Sequence, residues 1–310
     1  IDANNIYCAG NSGTILKSTD GGLNWTRLTT NTQENFIRIY FSNPSTGFVL
    51  SSGGYKMRTT NGGANWITIN NSPYGNIYDM DFLNANTGVI TGSNSLSQTT
   101  NGGQNWISLG NYGGYGVVML DVNNILIATN YPPMLHYTGN NQFTHVGNFP
   151  YTNLKDIDYF KNNPNLICAC GSGGYISISR NGGADWESGN IVTTNLNRVK
   201  FLDSNNIIAI GDYSTIIKTT NAGFNWFVVE LPNAAPRFNI SGLNFSSSGN
   251  KGLICGPFGL LLSTSNSGST WNLNSSVFSG EQMNVIRVLS ENQIIAFGNN
   301  ASRIICYDGA

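Results

Sequence analysis

Charge is scarce in this chain of 310 residues: Asp, Glu, Lys and Arg together make up 10% of it and the formal net charge is −1. Ordinary soluble domains carry roughly 25%. The few basic residues form no run or patch, so the phosphate-backbone attraction that drives nucleic-acid binding has no source. Nucleic acid is therefore excluded as a partner. Histidine occurs only at His136 and His145. With no third ligand nearby, the pair reads as surface or packing rather than a metal site or part of a Ser-His-Asp arrangement. No stretch reaches the ~18 apolar residues of a membrane-spanning helix. Helical periodicity is missing too, which points away from helical repeats.

What is abundant is Asn, at 47 residues, with many Ser, Thr and Gly. All six tryptophans close one eight-residue pattern. It reads STDGGLNW at Ser18–Trp25, TTNGGANW at Thr59–Trp66 and TTNGGQNW at Thr99–Trp106. It returns as SRNGGADW at Ser179–Trp186, TTNAGFNW at Thr219–Trp226 and TSNSGSTW at Thr264–Trp271. The Trp spacings are 41, 40, 80, 40 and 45 residues. The gap of 80 holds a degenerate copy, Ile125–Val146, with Phe143 in the Trp place.

A fixed period near 40 residues points to a propeller or solenoid. The second copy shows the grammar: strands at Phe36–Phe41 (FIRIYF), Gly47–Ser51 (GFVLS), Tyr55–Thr59 (YKMRT) and Trp66–Ile69 (WITI), with Asn, Gly, Ser and Pro between them. Four short antiparallel strands per period is the pattern of a propeller blade. The expected fold is all-β, a single β-propeller domain over residues 1–310, with units ending near 25, 66, 106, 143, 186, 226 and 271 and a partial unit at 272–310. Eight blades are preferred to seven. Alignment of IDANNIYCAG with LDSNNIIAIG shows the first unit lacking its first strand, and the chain stops where another box would begin.

The box has a local physical reading. Asp20, Asn61, Asn101, Asn181, Asn221 and Asn266 at its third position are expected to bond backbone two residues on. The Gly at its fifth position takes a positive φ, and the Ser or Thr hydroxyl bonds across the turn. Trp25, Trp66, Trp106, Trp186, Trp226 and Trp271 then begin the last strand and bury a large face between sheets. Asp20 is the only Asp at the third position. The other boxes thus offer no charge to a hard cation. The boxes are assigned to structure, and neither a metal nor a cofactor is expected.

The pattern S/T-x-D/N-x-G-x-x-W resembles the Asp-box of bacterial neuraminidase (BNR) repeats. With N-G-G-x-N-W, and GxxG-x-I before it in several blades, the chain is most similar to the photosystem II assembly and stability factor family. The resemblance covers essentially the whole chain. It implies a propeller in which the box stabilises a turn at the outer part of each blade, and an arginine-rich patch that receives a protein precursor. Only eight Arg are present here, so that patch is not carried across. Sialidases, xyloglucanase-type glycoside hydrolases and sortilin-type receptors carry the same boxes.

The cysteines are Cys8, Cys168, Cys170, Cys255 and Cys306. Four fall in second strands, where buried thiols behave as small apolar side chains. A Cys8–Cys306 bridge would link the first and last units.

Candidate recognition residues lie on the innermost strands. One row runs Arg38, Asp79, Gly116, Ile157, Arg198, Gly242, Val285, and another, two residues on, runs Tyr40, Asp81, Val118, Tyr159, Lys200, Asn244, Arg287. Between them an apolar row, Ile39, Met80, Val117, Val199, Leu243 and Ile286, is broken by Asp158. Such alternation gives one packed and one wetter face. The wetter face, with Asp158 added from the break in the apolar row, supplies Arg38, Tyr40, Asp79, Asp81, Asp158, Tyr159, Arg198, Lys200 and Arg287 as the candidate binding set.

Asp79 and Asp81 share a strand face about 7 Å apart. That separation suits an inverting glycosidase pair. Arg38, Arg198 and Arg287 could clamp a carboxylate, with Tyr40 or Tyr159 as a phenol. The Arg-Ile-Pro motif of sialidases and a central Glu are absent, so the glycoside hydrolase reading is the alternative. The preferred expectation is a non-catalytic module, extracellular, on the cell surface or periplasmic. It would bind a protein or glycan, or self-associate as a subunit or part of a larger assembly.

Overall fold

In the computed structural model, residues 4–51, 53–69, 75–130, 133–147, 149, 152–232, 235–240, 242–274, 283–290, 293–298 and 303–307 are described. The chain divides into two compact units, Ile1–His145 and Val146–Ala310. Each is built wholly of small antiparallel sheets in which every strand pairs with the next in sequence. Polar turns of a few residues are all that such pairing requires.

The second sheet is typical. Its strands are Phe36–Phe41, Gly47–Ser51, Lys56–Thr59 and Ile67–Thr68. The first two match the predicted bounds, and the third and fourth are trimmed at their ends. Trp66 lies just before the last strand rather than in it, because its backbone still belongs to the box corner. Only Trp106 and Trp271 are buried, the other box tryptophans being half-buried.

The preference for eight blades over seven is corrected to seven. Among the described residues six sheets have four strands, and the sheets at the two chain ends have three each. The first, Ile6–Ala9, Ile15–Ser18 and Thr26–Leu28, lacks an inner strand, as the alignment predicts. The last, Met283–Ser290, Gln293–Gly298 and Arg303–Tyr307, lacks an outer one. Both are part-blades.

The core lies between consecutive sheets. Ile15 of the first sheet packs with Phe36, Val49 and Met57 of the second. Phe48 and Leu50 of the second pack with Ile77, Phe82, Ile90 and Trp106 of the third. In the second unit Cys168, Cys170 and Ile176 meet Val199, Phe201 and Ile217 in the same way. A sheet covered on both faces needs apolar side chains on both faces of its second strand. Hence GFVLS, GVITG, ICACG and IIAIG are buried end to end rather than alternating. Gly88 opens one such strand because the Phe82 ring occupies the place of a Cβ. Phe82 in turn meets the edge of Trp106, 6.2 Å between centroids, and Phe41–Trp66 and Phe245–Trp271 repeat the arrangement at 6.0 Å.

Cys168, Cys170 and Cys255 are buried, and burial pushes the Cys255 thiol up to about 12 and the half-buried Cys8 thiol up to about 11. These are packing thiols, not thiolates. Cys8 is free, and the Cys306 side chain lies outside the described residues.

Candidate functional site

At every box one hydroxyl organises the corner. Thr59 Oγ1 accepts the Gly63 N–H at 2.9 Å and donates to Asn61 Oδ1 at 3.0 Å. Asn61 Oδ1 then accepts the Asn65 N–H at 2.9 Å. The same set recurs from Ser18, Thr99, Ser179, Thr219 and Thr264. The expected bond from the Asx side chain to backbone two residues on is thus corrected: it reaches four on. Two consecutive left-handed residues, such as Gly62 (φ 65°) and Gly63 (φ 83°), curl the chain an extra step before the N–H comes round. At Asp20 the Asn24 N–H, the Asn24 amide and the Ser18 hydroxyl hold the carboxyl down at about 2. Trp25 and Trp186 donate Nε1–H to the carbonyls of Gly22 and Gly183. The boxes are scaffold.

The inner strands give a less expected result. In the second, third, fifth and sixth sheets the inner strand starts with a bulge: Phe36 faces Ser51 but Arg38 faces Leu50, leaving Ile37 as the extra residue. Tyr78, Lys155 and Asn197 are the extra residues in the third, fifth and sixth sheets. This common register shows that the fifth unit must be shifted by one from the sequence alignment. Asp156, not Ile157, stands with Arg38, Asp79 and Arg198, each of these opposite the same place on its second strand. Asp158, not Tyr159, stands with Tyr40, Asp81 and Lys200. Ile157 closes the apolar row, and Tyr159 is core, only 7% exposed. Asp156 was therefore missed. The apparent break of the apolar row at Asp158 was the signal that could have found it.

These polar residues reach the neighbouring inner strand. Asp79 Oδ2 accepts the Val117 N–H at 3.1 Å and Asp81 Oδ2 the Met119 N–H at 3.0 Å. Asp156 Oδ2 accepts the Val199 N–H at 2.9 Å and Asp158 Oδ2 the Phe201 N–H at 2.8 Å. Asn244 Oδ1 accepts the Val288 N–H at 2.8 Å. The first strands of adjacent sheets do not pair with each other, so a side chain supplies the missing acceptor. Two of these carboxylates also hold cations: Arg198 Nη1 lies 3.3 Å from Asp156 and Lys200 Nζ 3.0 Å from Asp158. Burial raises the Asp156 carboxyl above its ordinary range despite Arg198 and the Val199 N–H. Arg38 Nη2 donates to the Tyr78 carbonyl, and Arg287 Nη1 to its neighbour Ile286. Tyr40 stacks on Phe82 with centroids 4.2 Å apart, which makes it an inter-sheet packing residue.

A second set of staples joins the outer parts of the sheets. Lys17 Nζ donates to the Gly62 carbonyl, Arg58 Nε to Gly102 and Arg180 Nη2 to Ala222, each in the next box. Lys218 Nζ reaches Ser269 Oγ likewise, and Gln98 Nε2 the carbonyl of Val122. Sequence reasoning did not find this set, although a basic residue or Gln directly before the box, or at its second place for Arg180, was its visible sign. His136 Nε2–H donates to Asn124 Oδ1 at 2.6 Å, and His145 is exposed. Among the described residues no group of three His, Cys, Asp or Glu could hold a metal ion, and no helix is long and apolar enough to cross a membrane.

Residues 1–60 match the family described as photosynthesis system II assembly factor YCF48. The chain is similar to the YCF48-like BNR propellers. YCF48 from Cyanidioschyzon merolae superposes with a TM-score of 0.67 at 18% identity, over 99% of this chain and 92% of that one. A structure of YCF48 bound to D1 peptide gives 0.66 at 17%, over 99% and 90%. A GH74 enzyme of Niastella koreensis gives 0.57 at 16%, over 99% of this chain and 63% of the enzyme. At these identities the likeness shows the propeller fold, of mostly four-stranded antiparallel blades. No curated protein is matched by the sequence.

Proposed function

We propose that this protein is a non-catalytic binding or scaffold module that recognises a protein partner. The observation that carries the reading is the commitment of the inner-strand carboxylates. Asp79, Asp81, Asp156 and Asp158 each accept a backbone N–H of the adjacent inner strand. A glycosidase needs one carboxyl as acid and another as base or nucleophile, both facing the substrate. Carboxylates clamped to backbone are poorly placed for either role. The rigid stapled frame suits recognition by surface turns. The peptide bound by the YCF48 structure supports a protein rather than a sugar as the ligand class, and the neutral, Asn-rich surface supports a place outside the cytoplasm or on the cell surface. Arg38 in the first unit, and Lys200 and Arg287 in the second, are the candidate contacts still turned partly to water. Arg198 and the aspartates are assigned to the frame.

The test is one folded preparation carried through partner capture, a glycan array and an assay for released sugars. Protein capture without released product is expected, and weakened capture by Arg38→Glu or Arg287→Glu at unchanged melting temperature would place the contact. Turnover of any glycan would overturn the reading and return attention to Asp79 and Asp81.

A further inference from the structure

In the second unit, three consecutive sheets join their second and third strands by the same tight turn: Ser172–Gly174, Asp212–Ser214 and Pro257–Gly259. The central residue is left-handed in each, at φ 63°, 56° and 53°. Gly173 fills it in the first of these turns, and Ser12 fills the same place in the first sheet of the chain (φ 52°). In the other two it is Tyr213 and Phe258, which are 65% and 66% exposed. Neither choice helps the fold. A large side chain is strained in this conformation, and an aromatic residue about two-thirds exposed contributes little burial. Twice, in adjacent sheets, the chain accepts both disadvantages.

The segment Arg237–Asn239 lies against these turns. Ser214 N–H donates to the Phe238 carbonyl, and Phe238 N–H to Ser214 Oγ at 3.0 Å. Asn239 Oδ1 accepts the Tyr213 N–H at 3.4 Å. The Phe238 ring packs on Phe258 with centroids 5.1 Å apart. Three aromatic rings are thereby held on a stiff base, the arrangement that supplies contact area at low entropy cost. The polar groups beside them are largely spent on each other: both oxygens of Asp212 accept amide N–H groups, from Asn195 and Asn197. Few hydrogen-bonding groups are left for sugar hydroxyls. Arg237 is the exposed cation at the edge, in a groove that it shares with Ser214 and the exposed Glu230.

We propose that Tyr213 and Phe258 are the anchors of a protein-binding surface on the second unit, whose partner is a polypeptide segment presenting apolar side chains and a carboxylate that meets Arg237. This rests on the binding-module reading above and names its surface and the chemistry of its ligand. Exposed aromatic and Arg side chains are what such surfaces use as anchors.

The test compares the wild type with the double variant Tyr213→Gly, Phe258→Gly and with Arg237→Glu, using a displayed random-peptide library as probe. Glycine suits the left-handed turn, so the double variant should melt at the same temperature or higher. Peptides selected on the wild type should combine apolar and acidic residues. They should lose about 30-fold or more in affinity for the double variant and weaken on Arg237→Glu. A lower melting temperature would overturn the proposal by making the rings structural. Peptides that bind both forms equally would remove this surface but leave the binding-module reading standing. Binding of glycans or of phosphatidylcholine–phosphatidylglycerol vesicles that depends on the same rings would replace the ligand class. No enriched peptide would also overturn the proposal, and released sugar in the parallel assay would overturn the module reading with it.

Discussion

In the box corners two successive residues take left-handed backbone, and ten of those twelve positions are glycine, with Ala222 and Ser267 the others. In the turns between second and third strands of the second unit the same backbone is required, yet Tyr213 and Phe258 occupy it. The corners are built for conformation alone: a hydroxyl and a carbonyl oxygen collect the N–H groups, and glycine meets the steric demand without strain. The other turns meet the same demand with side chains that disfavour it and that project into water. Where a position serves only the fold, glycine, the residue that fits best, is found there in ten cases of twelve. Where it does not, something besides the fold is being served.

If the corners and staples are the frame, the largest loss should come from removing a ring packed inside it. Trp271 is 3% exposed and meets Phe245 edge-on. Trp271→Ala should destabilise the protein by about 3–5 kcal/mol, measured by denaturant unfolding. The half-buried Trp66 should cost less. A stable Trp271→Ala protein would mean that the corners are not the frame.

Next should come the inner staple. Asp156→Ala strips the Val199 N–H of its acceptor and leaves Arg198 without its carboxylate, a loss of about 2–3 kcal/mol. The pH dependence has a definite sign. The folded-state value of Asp156 is raised, so the folded state holds the proton to higher pH than the unfolded chain. Stability from this group is complete below the ordinary Asp value and is lost as pH rises through the raised one. Asp156→Asn should flatten that part of the stability–pH curve, and an unchanged slope would assign it to other groups.

The corner hydroxyl ranks third. Thr59→Val keeps the shape but leaves the Gly63 N–H unmet and frees Asn61. The expected cost is about 1–2 kcal/mol, read from the melting temperature.

The fold was legible because its instructions are local and repeated. A box that fixes one corner, recurring near every 40 residues, defines four strands whichever copy is read, and the second copy alone placed Phe36–Phe41 and Gly47–Ser51 correctly. The candidate site was legible only in part, because its meaning is non-local. That Asp79 serves the Val117 N–H 38 residues away cannot be read from either segment. Nor does the sequence mark where the fifth unit's inner strand begins, so its alignment slipped by one residue, and Tyr159 changed places with Asp158. A one-residue slip on a strand exchanges its two faces, which turned a buried ring into a candidate ligand contact and hid Asp156.

The smallest effect sharpens the comparison most directly. Ala222 (φ 55°) and Ser267 (φ 57°) are the corner positions where glycine is replaced. Ala222→Gly and Ser267→Gly should each raise stability by up to about 1 kcal/mol, because the strain they remove outweighs the added freedom of the unfolded chain. Any gain should come without change in ligand capture, since the Ala222 carbonyl that Arg180 uses is retained. Tyr213→Gly should give a similar gain in stability but lose capture. Equal behaviour of the corner and the turn variants in both measurements would erase the distinction between frame and surface. A gain confined to stability at the corners, beside a gain with lost binding at Tyr213, would show that one backbone conformation serves two purposes in this molecule.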